Sequence, residues 1–320
     1  MKRRLVLLAA ASLTSTRAQS QTGERLRKVG VLIDGSAPHP LPDVLRAGLT
    51  GGGWVEGRTI AFDVRYADGQ PARAAAQAAE LVKGEVDIIV AHFTPAVRAA
   101  MAATKTIPII MAPAGAPVET GLVASLSRPG GNVTGVTNMA AELGGRRLQL
   151  LKDMIPSLGR VAVLASSHDA FTRPFLTYLE EAARSGGLQL DPVPVAGPPD
   201  FAAAFARMAE VRAGAVIIQG VFNSHRAAIV EIASRQHLPT MWFDRQAVLA
   251  GGLISLSANT DDIFQRAAAM ANKVLKGAKP SDLPVEQPAI FELVINLKAA
   301  KELGLTLPRS VQVQADELIE

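Results

Sequence analysis

The residues able to do chemistry sit where short apolar runs stop. Asp34 and Ser36 follow the run 28–33, and His92, Phe93 and Thr94 follow 86–91. Pro113 lies in the Pro/Gly-broken segment 112–117 after the run 109–112. Ser166, Ser167 and His168 follow 160–165; Gln219 ends the run 215–219, with Phe222 and Asn223 just beyond; Trp242 and Asp244 close the run 240–243. Together they offer carboxylates, hydroxyls, amides and aromatic faces, the mixture that lines a pocket for a small organic molecule. Thr94 with Pro95, and Asn223 with Ser224, read as helix starts. Free N–H groups and the positive end of a helix dipole there suit a carboxylate. Phe93, Phe222 and Trp242 offer faces for a planar or apolar group. Each taken singly reads equally as a helix cap or a core residue.

Catalytic and metal patterns are weak. His39, His92 and His168 all follow strands, but no HxxxH or HExxH spacing joins the five histidines. No GxSxG supports a hydrolase, and no GxGxxG or GKS/T loop follows a strand, so no cofactor is expected. Zero cysteines exclude disulfides, thiolate metal sites, a catalytic thiol and a cysteine for lipid attachment. The chain reads as a binder and not an enzyme.

The elements that must hold these residues follow from periodicity. Runs of Val, Ile, Leu and Ala alternate with Ala-rich helical segments, and 48% hydrophobic against 19% charged residues describes a packed α/β protein. Helices are expected over 43–49, 71–83, 141–154, 174–185, 201–211, 224–235 and 260–276, with Thr94 and Asp200 as caps. At the amino terminus Lys2, Arg3 and Arg4 precede the apolar run 5–13 and small residues to Ala18, the order of an export signal cleaved near Ala18. Removing Lys2, Arg3, Arg4 and Arg17 from 33 basic residues leaves 29, equal to the 29 acidic ones. The apparent basicity therefore belongs to the leader and is no argument for nucleic acid.

Internal repetition sets the architecture. VDIIVAHFTPAVRAAMAATKTIPIIM at 86–111 parallels AVIIQGVFNSHRAAIVEIASRQHLPTMW at 215–242, and KVGVLI at 28–33 parallels RVAVLA at 160–165, with a common offset. Two βα lobes follow, each a doubly wound parallel sheet, with ligands expected at the carboxyl ends of the strands. The stretch 107–138 is the bridge between them: an apolar run, a Pro/Gly-rich loop, then a β-branched run at 133–137.

Several segments resemble the ABC-transporter substrate-binding proteins whose best-known members bind tryptophan and phenylalanine. They are GWVEGR at 53–58, GLVASLSRPGGNVTGVT at 121–137, AGGLIS at 250–255, LKGAKPSDLPVEQP at 275–288 and FELVINLKAAKELGLTLP at 291–308. The resemblance implies a type I periplasmic-binding fold with two lobes joined by three crossings, near Thr137, Gly252 and Pro288. The expected parts are a leader over 1–18, one lobe from 24–136 plus 253–287, and a second from 137–252 plus 288–320. It also implies a periplasmic monomer that captures a small-molecule ligand by hinge closure and docks on an inner-membrane ABC permease. An exported sensor handing its closed form to a signalling receptor is the alternative. One departure bears on specificity: Ala116, Pro117 and Val118 stand where relatives carry Asp-Pro-Val. The loop 166–169 also lacks the usual Asn-Pro pattern.

Overall fold

The computed structural model describes residues 25–320, so the expected leader lies outside the described residues. Lobe one begins with β1 (Arg27–Ile33), α1 (Leu41–Gly51), β2 (Ile60–Tyr66), α2 (Pro71–Lys83) and β3 (Ile88–His92). It continues with α3 (Phe93–Ala103), β4 (Ile109–Ala114) and β5 (Val133–Thr137). Its five strands are all parallel, in the order β2-β1-β3-β4-β5. Such strands are covered on both faces, which is why they read as unbroken apolar runs. In β1, Val29, Val31 and Ile33 join one core while Leu32 joins the other.

Lobe two contains α4 (Gly144–Met154), β6 (Arg160–Ser166), α5 (Thr172–Ser185), β7 (Gln189–Val195) and α6 (Phe201–Glu210). Then follow β8 (Ala215–Ile218), α7 (Arg226–Arg235), β9 (Thr240–Trp242), α8 (Arg245–Leu249) and β10 (Ile254–Ala258). The chain returns to lobe one for α9 (Thr260–Leu275), which lies against α1 and β4. It finishes in lobe two with β11 (Phe291–Asn296), α10 (Leu297–Glu302), α11 (Arg309–Gln312) and β12 (Glu317–Ile319). The seven strands run β12-β11-β10-β9-β8-β6-β7.

Helix α9 shows how local chemistry sets an element. The Asn259 side chain accepts from the Asp262 N–H at 2.7 Å, Asp261 and Asp262 sit at the positive end, and Gly277 follows the last turn at φ +103°. Ile263, Ala267, Met270, Ala271 and Val274 form its buried face.

Three expectations need correction. The second crossing is not at Gly252. Strand β10 hydrogen-bonds between β9 and β11 within lobe two, and Ile254 and Leu256 fill that lobe's core, so the chain crosses at Ala258 and Asn259. Nor is the second sheet wholly parallel, because β11 runs antiparallel to β10. A helix start at Thr94 is also displaced: α3 begins at Phe93, and Thr94 lies inside it.

The three crossings lie side by side. Thr137 N–H donates to Glu286 O at 3.0 Å, Glu286 N–H donates to Gly135 O at 2.9 Å, and Asn259 N–H donates to Ile290 O at 2.9 Å. Gly135 is required at the first: its φ is +143°, and a Cβ there would stand 2.4 Å from the Met111 backbone. Beneath them Arg147, 1% exposed, donates to Ala140 O and Leu256 O and lies 3.6 Å from the Phe243 ring centroid. Those carbonyls belong to the segments leaving the first crossing and entering the second. Burial pulls the Arg147 guanidinium down to about 9.

Candidate functional site

The carboxyl ends of both sheets face each other, and the lobes are closed. A Cβ on Gly115 of lobe one would meet the Phe171 ring of lobe two at 2.5 Å. A Cβ on Gly220 of lobe two would lie 3.6 Å from Phe93 Cζ of lobe one, and one on Gly35 would lie 3.4 Å from Ser224 Oγ. At the rim Tyr178 OH donates to Glu119 Oε1 at 3.5 Å.

From lobe one, Asp34 extends from the end of β1 and is 4% exposed. Burial, then the nearby Asp169 charge, pushes its carboxyl up to about 7. Ser36 is half-buried in the loop that follows. His92 ends β3; its ring stands 4.4 Å from His39 and 3.9 Å from Phe93, and its Nδ1 is buried without a partner among the described residues. Phe93 takes a φ of +68°, an unusual conformation for a bulky residue, at the junction that carries its ring toward Gly220. Thr94 Oγ1 accepts from Gly115 N–H at 3.4 Å, so it ties the β4 loop and does not cap α3. Pro113 lies within β4, buried, and not in an open loop.

In lobe two the organising group is Gln219, 0% exposed. Its Oε1 accepts from Ser166 N–H (2.7 Å) and Thr172 Oγ1 (3.0 Å), while Nε2 donates to Asp169 Oδ2 (2.9 Å). Asp169 Oδ1 also accepts from Phe171 N–H at 3.0 Å. Asp169, 7% exposed, is therefore fixed by two hydrogen bonds within lobe two. Burial raises its carboxyl to about 6, against the Phe171 amide and the Arg98 charge. Asn223 Oδ1 is buried without a partner among the described residues.

The expected contacts thus divide. Asp34, Ser36, His92, Phe93, Thr94 and Asn223 gather at the seam. Gln219 does not reach a ligand, because its amide is spent on Ser166, Thr172 and Asp169. The Ser166 Oγ accepts from His168 N–H in the local turn. Ser167 and His168 are exposed, and Ser167 Oγ donates to Val195 O at the end of β7. Phe222 packs edge-on against Phe201 in lobe two's core. Trp242 is 0% exposed in that same core, with Nε1 donating to Thr240 Oγ1 at 2.8 Å; strand alternation turns it away from the seam. Asp244 caps α8 by accepting from Gln246 N–H. Asp169 and Phe171 were not singled out from the sequence, although Asp169 is the one carboxylate in the β6 loop, the counterpart by repeat of the loop carrying Asp34.

Among the described residues no group of three His, Cys, Asp or Glu is placed to hold a metal ion, and no helix is long and apolar enough to cross a membrane. A cavity of about 400 Å³ lies at the opposite edge of lobe one, lined by Arg27, Trp54, Asp87 and Lys276 among others. It adjoins the amino ends of the strands, away from the convergent polar groups.

Two α/β lobes with three adjacent crossings, closed over a seam at their strands' carboxyl ends, are the architecture of type I periplasmic binding proteins. The chain belongs to the ABC transporter substrate binding protein family, whose sequence profile matches residues 28–319. It is 25% identical over 287 residues to a tyrosine-binding protein of Clostridioides difficile, covering 87% of this chain and 83% of that one. A conserved domain protein of Vibrio cholerae superposes with a TM-score of 0.84 at 28% identity, covering 92% of this chain and all of the other. An ABC domain from Streptococcus pneumonia in complex with L-Trp superposes with a TM-score of 0.83 at 29% identity over the same share.

Proposed function

We propose that this chain is the exported solute-binding component of an ABC importer. It captures a small organic, amino-acid-like solute between its lobes, closes over it, and presents the closed form to a permease in the inner membrane. It performs no chemistry on the solute. The observation that carries this reading is the seam itself. His92 Nδ1 and Asn223 Oδ1 are buried there with hydrogen-bonding capacity that the described residues leave unused, and the 4% exposed Asp34 carboxyl lies at the same seam. Buried polar groups are normally paired, so a cleft that leaves several unpaired on closing is built to close on something polar. The relatives whose names report tyrosine and L-Trp support an amino-acid-like solute. Ala116 stands where the family resemblance leads one to expect Asp, which separates this chain's specificity from that of amino-acid binders with the acid in place.

Native mass spectrometry of protein purified gently from its own periplasm tests this. A retained small molecule in one-to-one ratio, lost on partial unfolding and recovered on refolding with extract, is the expected result. Turnover of that molecule by the purified protein would overturn the reading. So would co-purification with a signalling receptor and no permease.

A further inference from the structure

The five parallel strands of lobe one turn their carboxyl ends to the seam, so their amino ends form a pole that faces away from it. The pole is built from the segment entering β1 (25–28), the connections into β2, β3 and β4 (51–59, 83–87 and 103–108) and the end of α9 (275–279). These segments hold eight basic residues and three acidic ones, whereas the rest of 25–320 holds 21 basic and 25 acidic. A nearly neutral chain thus carries one positive pole on a negative body. Arg25 and Arg27 both reach Asp87, at 3.8 and 2.9 Å, and Glu56 is paired with Arg46. Lys28, Arg58, Lys83, Lys105, Lys276 and Lys279 are exposed and form no ion pair among the described residues.

Helix ends explain only part of this charge. Cations are favoured at the negative end of a helix, and α1, α2, α3 and α9 all end here. Lys28, Lys105 and Lys276 donate to Gly84 O, Met101 O and Gly52 O at those ends. Lobe two is the control, because four of its helices end at the amino ends of its own strands in the same way. Its counterpart segments, 154–160, 185–189, 210–215 and 235–240, hold three basic residues and one acidic. Arg160 and Arg235 pair with Asp191 and Glu231, which leaves Arg212 alone without an ion pair among the described residues there, against six at lobe one's pole. The excess belongs to lobe one and not to the fold.

Apolar tips stand among the charges. Leu26 is 37% exposed and Val55 50%. Val55 is held in a tight loop, its N–H donating to Thr59 Oγ1 and its carbonyl accepting from Arg58, Thr59 and Ile60 N–H. The half-buried Trp54 indole lines the cavity of about 400 Å³ with Arg25, Arg27 and Lys276, its Nε1 donating to Asn272 Oδ1. A Trp and aliphatic tips ringed by lysines are the set that sits in the headgroup layer of a bilayer. Five of the eight basic residues are Lys, flexible point charges, and not Arg forks that fix one directional partner. Spread over five segments, they match a diffuse and mobile layer of negative charge better than an acidic peptide lying in a groove.

We propose that the amino-end pole of lobe one is a docking face for an anionic phospholipid surface, on which the protein lies without spanning it. The pole points away from the seam, so docking leaves both walls of the cleft free and the lobes able to open. It confines the protein to the plane of the bilayer, where any membrane partner is found. The attraction is electrostatic, so it weakens as salt shortens the Debye length from about 8 Å at 0.15 M to about 3 Å at 1 M.

Flotation of the exported protein, freed of its leader, with lipid vesicles tests the face. One set of vesicles contains phosphatidylglycerol and phosphatidylcholine in equal amounts, the other phosphatidylcholine alone. Wild type is expected to float with the anionic vesicles only, and to be released at about 1 M salt. The variant Arg58→Glu, Lys83→Glu, Lys279→Glu reverses three exposed charges of the pole that make no side-chain hydrogen bond among the described residues. It should bind the anionic vesicles roughly a hundredfold more weakly, the effect of three charges close to the surface. The variant Lys298→Glu, Lys301→Glu, Arg309→Glu makes the same change of net charge on exposed positions of lobe two and should bind as wild type does. Val55→Ser should weaken binding at both salt concentrations, because its contribution is apolar. No preference for anionic vesicles overturns the proposal, and so does an equal loss in the two triple variants, which would reduce the effect to net charge. Capture of an acidic peptide such as polyglutamate, without vesicle binding, would assign the pole to a protein partner and overturn it as well. Unchanged far-ultraviolet circular dichroism excludes misfolding, and Arg58→Glu with Lys279→Glu keeps the test open should the triple variant fail it. Failure to find a permease would sink the importer reading and leave the vesicle result standing.

Discussion

The closed arrangement can be locked covalently, and the geometry says where. A Cβ built on Gly35 lies 3.8 Å from Ser224 Cβ, across the seam. Disulfides hold their Cβ atoms about 3.5–4.5 Å apart, with a mean near 3.8 Å. Gly35 is not among the positive-φ residues, so a cysteine there is unstrained, and the chain has no cysteine to compete. The variant Gly35→Cys, Ser224→Cys is expected to oxidise within one molecule. The bridge closes a loop of about 190 residues, for which chain-entropy arguments give roughly 5 kcal/mol of stabilisation. With about 2.1 cal/mol/K of unfolding entropy per residue over some 300 residues, that is a rise of roughly 8 °C in Tm. Intact mass under non-reducing conditions, scattering and calorimetric melting with and without dithiothreitol read the result. The oxidised form should be compact and should neither take up nor release solute, and reduction should restore exchange. Cysteines that stay reduced under diamide, or pair only between molecules, would refute the closed seam described above.

Three further outcomes follow from the same contacts. Gly115→Ala places a methyl 2.5 Å from the Phe171 ring only when the lobes meet. Overpacking of about 1–3 kcal/mol falls on the closed form alone, so oxidation of the 35–224 pair should slow by roughly 5- to 150-fold at unchanged Tm; equal rates would count against the contact. Trp242→Ala should cost about 3–5 kcal/mol by urea titration, as for a core Trp, and not act mainly on solute affinity. Raising the pH should destabilise the closed form, because burial holds the Asp34 carboxyl at about 7 against its ordinary 3.8. Its stabilising effect is therefore complete below pH 3.8 and is lost as pH rises through 7, with an upper bound of roughly 4 kcal/mol. In the oxidised double-cysteine variant this appears as a higher urea midpoint at pH 5.5 than at pH 8, and Asp34→Asn should abolish the difference.

Much of the scaffold was legible in the sequence because parallel strands covered on both faces are contiguous apolar runs, as in β3 and β6, and because the βα pattern repeats. Strand β10 was misassigned for a physical reason. A five-residue buried strand after Gly251 and Gly252 looks the same whichever sheet it joins; only its pairing with β9 and antiparallel β11 decides. Trp242 ends a strand and Phe222 lies in the turn after one, where the sequence does not say which way an aromatic points. Gln219 was placed at the seam correctly in position and wrongly in role, because its partners Ser166 and Asp169 lie 53 and 50 residues away. Phe93 carried no sequence sign of its left-handed backbone.

The departure at Ala116 then acquires a physical setting. Ala116 is 2% exposed, at φ +41°, and packs into lobe two's core cluster rather than opening onto solvent. A carboxylate there would be buried against apolar groups across a seam that already holds Asp34 and Asp169. In this chain the acidic groups stand instead at the ends of β1 and β6, the two strands related by the internal repeat.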